Sequence, residues 1–119
     1  MLKHNKFQIR NATLNDLPQL VELENEWPAN VRATESELTR RLEKFAAGYF
    51  IAVDETGMIA SIISHPYLYL HNDLSNFQTW ANIVNKCYHQ GLSFNETNAI
   101  YIVSGTTKNT PYVTELFNA

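Results

Sequence analysis

The sequence predicts one α+β domain in three layers, with helices on both faces of a mixed, mostly antiparallel sheet. Two observations favour this architecture. Strand-like and helix-like segments follow one another in the order β-α-α-β-β-α-β-α. Two apolar runs, 49–53 and 58–64, flank the turn sequence DETG and form the clearest hairpin in the chain. A chain of 119 residues suits one hydrophobic core, so residues 1–119 are predicted to be a single domain.

The first strand and the first helix are predicted near the N-terminus. Residues 6–11 alternate between apolar and polar side chains, as in a short strand. Thr13 or Asn15 is suited to cap the helix that follows, and Pro18 must lie within or near its first turn. Trp27 precedes a proline, so the helix is expected to end there. The apolar face of this helix is predicted to consist of Leu17, Leu20 and Val21.

A second helix is predicted to begin after Thr34. Thr34 and Glu37 have the spacing of a capping box, in which each side chain binds a backbone N–H of the other residue. Gly48 is expected to end the helix in the left-handed conformation. The apolar stripe of this helix consists of Leu38, Leu42 and Phe45.

The hairpin is predicted from two strands of nearly continuous apolar character. Gly57 is expected to supply the positive φ of its turn. Because alternation with polar residues is weak in 49–53 and 58–64, both faces of the sheet are expected to be covered.

The rest of the chain predicts one more helix, a strand and the beginning of a last helix. The third helix is placed at about 75–89, the fourth strand at 99–105, and the last helix at 113–119. The apolar stripe of the third helix is expected to contain Phe77, Trp80, Val84 and Cys87.

Composition argues against several classes of function. The formal net charge is −3 and no basic stripe is present, so no nucleic-acid partner is expected. No apolar run is long enough to span a bilayer, and no apolar leader precedes the first strand. One cysteine and four scattered histidines give neither an intrachain disulfide nor a metal-ligand spacing. We therefore expect a cytoplasmic protein without a membrane partner or a metal.

Three stretches carry a resemblance to a known family. Residues 9–24 read IRNATLNDLPQLVELE and resemble the signature IRxATxxDLPxLxxLE of the GNAT acyltransferase superfamily. The hairpin YFIAVDETGMIASII and the strand NAIYIVS at 98–104 are also similar to that family and follow in its order. The resemblance covers nearly the whole chain. It implies the N-terminal half of the GNAT fold, truncated after the fourth strand and the start of the following helix.

The resemblance implies an enzyme that uses acetyl-CoA or another acyl-CoA to acylate a small-molecule amine, without a metal. In such proteins the fourth strand pairs with the pantetheine arm, the next loop binds the pyrophosphate, and the connection between the first two helices lines the acceptor site. The implied acyl-CoA-binding residues are Val103, Ser104, Gly105, Thr106, Lys108 and Thr110, and the implied acceptor-binding residues are Trp27 and Arg32. The loop departs from the family pattern because 106–114 contains no glycine. No catalytic residue is assigned.

Two alternatives stay open. Trp27 with its following proline, and the loop GTTKNTPY at 105–112, resemble the GNAT-like domains of polyketide synthase loading modules. Those domains are described as decarboxylating malonyl-CoA and moving the acyl group to a carrier-protein thiol. The other alternative is a non-catalytic half-domain, whose unpaired fourth strand forms a homodimer or binds a partner.

Several other residues have both a functional and a structural interpretation. His65 has the pKa range of a general base but no identifiable partner. Cys87 is expected to act as a small hydrophobic residue on a helix face. Glu22, Glu24 and Glu26 are expected to form a solvated helix face. Trp27 is expected either to line the acceptor site or to fix the helix end to the core.

Overall fold

The computed structural model describes residues 2–3, 7–68, 79–90, 95 and 97–108. These residues form the strands β1 (Leu2–Lys3), β2 (Gln8–Asn11), β3 (Tyr49–Asp54), β4 (Gly57–Tyr67) and β5 (Ala99–Thr107). The helices are α1 (Leu17–Leu23), α2 (Glu35–Phe45) and α3 (Trp80–Gln90). Short 3-10 turns lie at Leu14–Asp16, Glu24–Glu26, Ala29–Val31 and Ala46–Gly48. The predicted last helix at 113–119 lies outside the described residues.

The strands form one sheet in the order β1-β2-β3-β4-β5, and every described pair is antiparallel. The three helices contribute to one hydrophobic core on the same face of this sheet, which we call the helical face. The buried core residues are Ala12, Leu20, Leu23, Leu38, Leu42, Tyr49, Ile51, Met58, Ile63, Tyr67, Cys87, Tyr88 and Val103. The α+β class and the element order up to the fourth predicted strand are therefore confirmed.

The opposite face of the sheet, which we call the far face, is more open. Phe50 and Ile62 on this face keep 41% and 37% of their surface exposed. The expectation that both faces are covered is wrong at these two positions. Apolar side chains along a strand do not require that both faces be covered, because a large part of a folded protein's surface is apolar.

The predicted hairpin is confirmed, and its second strand is longer than expected. Gly57 has φ of 119°, as the turn requires. A bulge follows the turn, since Ala52 pairs with Ala60 whereas Val53 pairs with Met58. The Met58 N–H donates to the Gln19 side-chain oxygen at 2.9 Å, which fixes α1 onto this end of β4.

Three details of the helices differ from the prediction. Gly48 is not left-handed, because Gly57 is the one described glycine with a positive φ. Gly48 is required by close packing instead, since a Cβ there would lie 2.3 Å from the Ser64 carbonyl oxygen. Val21 is 37% exposed, so Leu23 and not Val21 completes the buried face of α1. The third helix begins at Trp80 and not near 75, with Thr79 preceding it outside the helix.

The capped starts of α1 and α2 follow the predicted chemistry. Thr34 Oγ1 accepts from the Glu37 N–H, and the Glu37 carboxylate accepts from the Thr34 N–H. Pro18 lies in the first turn of α1. Asp16 accepts from the Thr13 N–H at 2.8 Å and from both terminal nitrogens of Arg10 at 2.8 Å. These polar contacts hold the connection from β2 to α1.

Within the described part of the chain, no helix combines the length and the apolar character that crossing a bilayer requires.

Candidate functional site

A cleft of about 710 Å³ opens on the helical face, where the α1–α2 connection and the start of α3 approach β5. Its volume lies within the range of roughly 300–1,000 Å³ that small-molecule sites occupy. One wall comes from the α1–α2 connection, a second from α2, and a third from the first turn of α3. The cleft is lined by Glu24, Trp27, Asn30, Val31, Arg32, Ala33, Glu37, Arg41, Trp80, Val103 and Ser104.

The floor of the cleft is a bulge in β5. Ser104 pairs with Ile63, whereas Ile102 pairs with Ser64, so Val103 is one extra residue in the ladder. The Val103 side chain is buried in the core. Within the described part of the chain, nothing hydrogen-bonds to the Ser104 hydroxyl, which lies on the cleft. The bulge therefore turns this part of β5 toward the helices and presents Ser104 to the cleft.

Two tryptophans tie the walls of the cleft to β5. The Trp27 indole N–H donates to Thr106 Oγ1 at 2.7 Å. The Trp80 indole N–H donates to the Val103 carbonyl oxygen, also at 2.7 Å. Trp27 is 36% exposed and Trp80 is 49% exposed, so each ring presents surface to the cleft. Trp27 thus fixes the end of the first helical segment to β5 and also lines the cleft.

Arg32 is held at the rim of the cleft by backbone carbonyls. Its Nε donates to the Trp27 carbonyl at 2.8 Å, and Nη2 donates to the Asn25 carbonyl at 3.3 Å. Because carbonyl oxygens carry no net charge, the positive charge of this guanidinium is not neutralised by these contacts. Arg32 therefore places a fixed cation at the rim of the cleft.

Glu24 also lies in the cleft, which corrects the expectation of a solvated glutamate face. Its side chain is half-buried, and Oε1 accepts from the Ala33 N–H at 2.7 Å. Glu22 and Glu26 are exposed, as expected. The difference arises because the Glu24 side chain reaches the α1–α2 connection and is held there by the Ala33 N–H.

The structure brings four of the predicted site residues together. Trp27 and Arg32 line the same cleft as Val103 and Ser104, although they are more than 70 positions apart in the chain. Thr106 is buried and adjoins the cleft through its hydrogen bond to Trp27.

Two other predicted residues, Gly105 and Lys108, do not line the cleft. Gly105 pairs with Ile62 and belongs to the far face. Lys108 follows β5, and its ammonium lies 4.0 Å from a Glu22 carboxylate oxygen. Thr110 lies outside the described residues.

Glu24, Arg41 and Trp80 line the cleft but were not among the predicted site residues. Trp80 was assigned to the apolar stripe of the third helix. It is the first residue of α3 and is 49% exposed. The spacing of Glu37 and Arg41, one helical turn apart, is a sequence signal that could have pointed to a charged pair on α2.

His65 and Cys87 belong to the core and not to the cleft. His65 is 1% exposed, its Nδ1 is 2.8 Å from the Pro66 carbonyl oxygen, and its ring packs against Phe45 and Tyr88. Burial lowers the pKa of His65, which keeps the imidazole neutral. Burial raises the pKa of the Cys87 thiol, as expected for an inert core cysteine.

Comparison with known proteins bears on the fold. No family model matches the chain, and no curated protein matches it. Two solved structures are similar in fold. The loading GNATL domain of CurA from Lyngbya majuscula matches with a TM-score of 0.73 and 19% sequence identity, over 96% of this chain and 56% of that one. The GphF GNAT-like decarboxylase in complex with isobutyryl-CoA matches with a TM-score of 0.65 and 20% identity, over 93% of this chain and 55% of that one.

These comparisons confirm a GNAT-like fold. The chain spans a little over half the length of the two structures that it matches. The two neighbours are the kind of GNAT-like domain, from polyketide loading and decarboxylation, that the second resemblance pointed to.

Proposed function

We propose that this chain is an acyl-CoA-binding acyltransferase domain whose cleft holds the thioester end of the co-substrate. One observation carries the proposal: Trp27 and Arg32, implied to bind the acceptor, share a single cleft with Val103 and Ser104, implied to bind pantetheine. The residues implied to bind the acceptor therefore lie beside the residues implied to bind the acyl-CoA. A neighbour of the same fold holds isobutyryl-CoA, which supports an acyl-CoA as the ligand.

In this proposal the pantetheine arm lies along β5, with its amides pairing to the strand at Val103 and Ser104. The acceptor amine enters beside Trp27 and Arg32. Its nitrogen attacks the thioester carbonyl carbon, a C–N bond forms, the C–S bond breaks, and the CoA thiolate takes a proton. A backbone N–H of β5 stabilises the negative charge that develops on the carbonyl oxygen.

Glu24 is the group that we propose to accept the proton from the amine. It is a carboxylate within the cleft, and its Oε1 is already fixed by the Ala33 N–H. Glu24→Gln keeps an oxygen that accepts this hydrogen bond but removes the charge. We therefore expect the variant to fold and bind acyl-CoA normally while its turnover falls about 100-fold.

The pyrophosphate is proposed to bind at the end of β5, near Thr106, Lys108 and Thr110. The contact between Lys108 and Glu22 is at 4.0 Å, and their side chains are 40% and 69% exposed. Such a surface pair contributes little to stability, so the ammonium is free to turn toward a phosphate. In this proposal Gly105 allows the backbone to approach the ligand closely.

A second candidate is decarboxylation of malonyl-CoA followed by transfer of the acetyl group to a carrier-protein thiol. It is favoured by the likeness to a GNAT-like decarboxylase and by two arginines, Arg32 and Arg41, on the cleft. In that reaction the carbon–carbon bond to the carboxylate breaks, CO2 leaves, and the enolate takes a proton to give the acetyl thioester. Both candidates place the protein in the cytoplasm, where acyl-CoA is available.

The edge of β5 favours a third candidate, a homodimer or another complex formed by strand pairing. β5 is the last strand in the described sheet order, and its Ile100 and Ile102 are 52% and 58% exposed. Exposed apolar residues on an edge strand favour pairing with another chain. Light scattering of the purified protein tests this candidate, which fails if the protein is a monomer at all concentrations.

Calorimetric titration with acetyl-CoA tests the leading proposal. We expect saturable binding to the wild type, and a loss of about tenfold or more in Ser104→Tyr, because the larger side chain fills the cleft. Ile102→Tyr is the matched control, since it adds a tyrosine to an exposed position on the same strand. A folded wild type that does not bind, or equal affinity in both variants, overturns the proposed site. Release of CO2 from malonyl-CoA distinguishes the second candidate from the first.

A further inference from the structure

Arg41 is a buried cation. It lies in the middle of α2 and is 5% exposed. Within the described part of the chain, no carboxylate oxygen lies within 4.0 Å of its guanidinium. Its Cζ lies 6.0 Å from the centre of the Trp80 ring, at the outer limit of a cation–π contact. Burying a charge is unfavourable unless it is paired and hydrogen-bonded, so Arg41 needs an explanation.

The Tyr88 hydroxyl on α3 is a second buried polar group that lacks a partner. Tyr88 is 3% exposed, and its oxygen is the one fully buried side-chain N or O atom in the described residues without a hydrogen bond. Most buried hydroxyls in proteins are hydrogen-bonded. Burial raises the pKa of Tyr88 while the positive charge of Arg41 acts in the opposite direction, so the two groups are close enough to interact.

Arg41 and Tyr88 line one cavity of about 340 Å³ between α2 and α3, which we call the side chamber. The side chamber shares Glu37, Arg41 and Trp80 with the cleft, so the two are neighbours. Its charged lining residues are Arg40, Arg41 and Glu37, which leave one net positive charge. The Glu37 carboxylate accepts from the Thr34 N–H, and it also interacts electrostatically with Arg41 one helical turn away.

We propose that Arg41 and Tyr88 form a subsite for a carboxylate group of the substrate. The guanidinium N–H groups and the phenol O–H are donors, and a carboxylate accepts from both at once. The side chamber has room for a short carboxylate-bearing group. This inference rests on the proposed function, because the carboxylate belongs either to the acyl chain or to the acceptor in the adjoining cleft.

Two pairs of probes test the subsite by calorimetry. They also distinguish a carboxylate on the acyl chain from a carboxylate on the acceptor. Malonyl-CoA against acetyl-CoA tests an acyl carboxylate, and β-alanine against propylamine, with CoA at saturation, tests an acceptor carboxylate. We expect the wild type to bind the carboxylate-bearing member of one pair about tenfold more tightly. Arg41→Met removes the preference for the carboxylate-bearing member of the pair. Tyr88→Phe, which removes only the hydroxyl, weakens the preference several-fold.

Lys44→Met is the matched control, because it removes one positive charge from an exposed position of α2 that lines neither cavity. It should keep the preference. The subsite is overturned if the wild type prefers neither carboxylate, or if the preference survives in folded Arg41→Met. If Arg41→Met fails to fold, an unchanged preference in Tyr88→Phe overturns it instead.

Free malonate separates this inference from the proposed function. If no CoA ester binds, the proposed function fails. A thermal shift by free malonate but not by malonamide, abolished in Arg41→Met, would still support the subsite. If acetyl-CoA binds and neither carboxylate probe is preferred, the function stands and the subsite fails.

Discussion

Arg10 and Arg41 present the same side chain in two opposite situations. The guanidinium of Arg10 makes two hydrogen bonds of 2.8 Å to the buried carboxylate of Asp16, which binds Thr13 as well. The guanidinium of Arg41 is more deeply buried but faces a cavity and an aromatic ring. The first arginine completes a polar network within the chain. The second makes no hydrogen bond or ion pair with any described residue, which is what a binding site needs and a stable core does not.

The energetic consequences of the two arrangements differ. Removing one partner of a buried ion pair is strongly unfavourable, because the other charge stays behind without compensation. Replacing Arg41 by an apolar side chain of similar length removes a weak aromatic contact and a longer-range attraction to Glu37, but no ion pair with a described residue. The comparison therefore predicts large effects on stability at Asp16 and small effects at Arg41 and Tyr88.

The largest effect is expected at Asp16. Asp16→Ala leaves the Thr13 N–H and the Arg10 guanidinium without their acceptor, and we expect a loss of about 3 kcal/mol in the free energy of unfolding. Urea unfolding measures it. Asn15→Ala, an exposed change one position away, is the control and should alter stability by less than about 0.5 kcal/mol. A loss at Asp16 no larger than at Asn15 would show that the network is not stabilising.

The network of Arg10, Asp16 and Thr13 also predicts that the free energy of unfolding falls at acidic pH. The Arg10 guanidinium lowers the pKa of Asp16 from 3.8 to about 2. Because the folded-state pKa is lower than the unfolded one, this stabilisation is present above pH 3.8 and is lost as the pH falls toward 2. We expect Asp16 to contribute about 2 kcal/mol to that loss. Unfolding curves between pH 2 and 5 should show a shallower slope in Asp16→Asn, and an equal slope would contradict the assignment.

Sequence patterns predicted the elements whose local chemistry decides their shape. The capping box at Thr34, the hairpin around Gly57 and the strand at Ala99 all depend on residues close together in the chain. The pattern could not give the role of Gly48, because that role depends on a carbonyl 16 residues away. Local propensity does not report such contacts.

The candidate site was predictable only as far as the resemblance reached. It implied Trp27, Arg32, Val103 and Ser104, which share the cleft. The resemblance did not imply Arg41. The burial of this arginine depends on how α2 packs against α3, which the resemblance does not describe. An arginine in an amphipathic helix ordinarily lies on the solvent side, and periodicity gave no reason to place it elsewhere.

A smaller effect is expected at Tyr88. Its hydroxyl is buried without a partner, so Tyr88→Phe removes an unfavourable group and should raise the free energy of unfolding by about 1 kcal/mol. Tyr101→Phe on β5 is the control, since that residue is only half-buried, and should change stability by less than about 0.5 kcal/mol. Thermal unfolding without ligand measures both. A loss of stability in Tyr88→Phe would mean that the hydroxyl has a partner, and the carboxylate subsite would then lose one of its two donors.

The smallest effect is expected at Arg41, and it sharpens the comparison most. Arg41→Met should change the free energy of unfolding by less than about 1 kcal/mol, because methionine fills a similar volume and only the contact with Trp80 and the longer-range attraction to Glu37 are lost. Arg10→Met, the matched substitution, should lose about 2 kcal/mol, since it leaves Asp16 buried without its cation. That value is below the usual cost of breaking a buried pair because Arg10 is 37% exposed and solvent screens part of the interaction. Equal losses in the two variants would make Arg41 a structural residue like Arg10, whereas a small loss at Arg41 leaves ligand binding as the reason for a buried cation that faces a cavity.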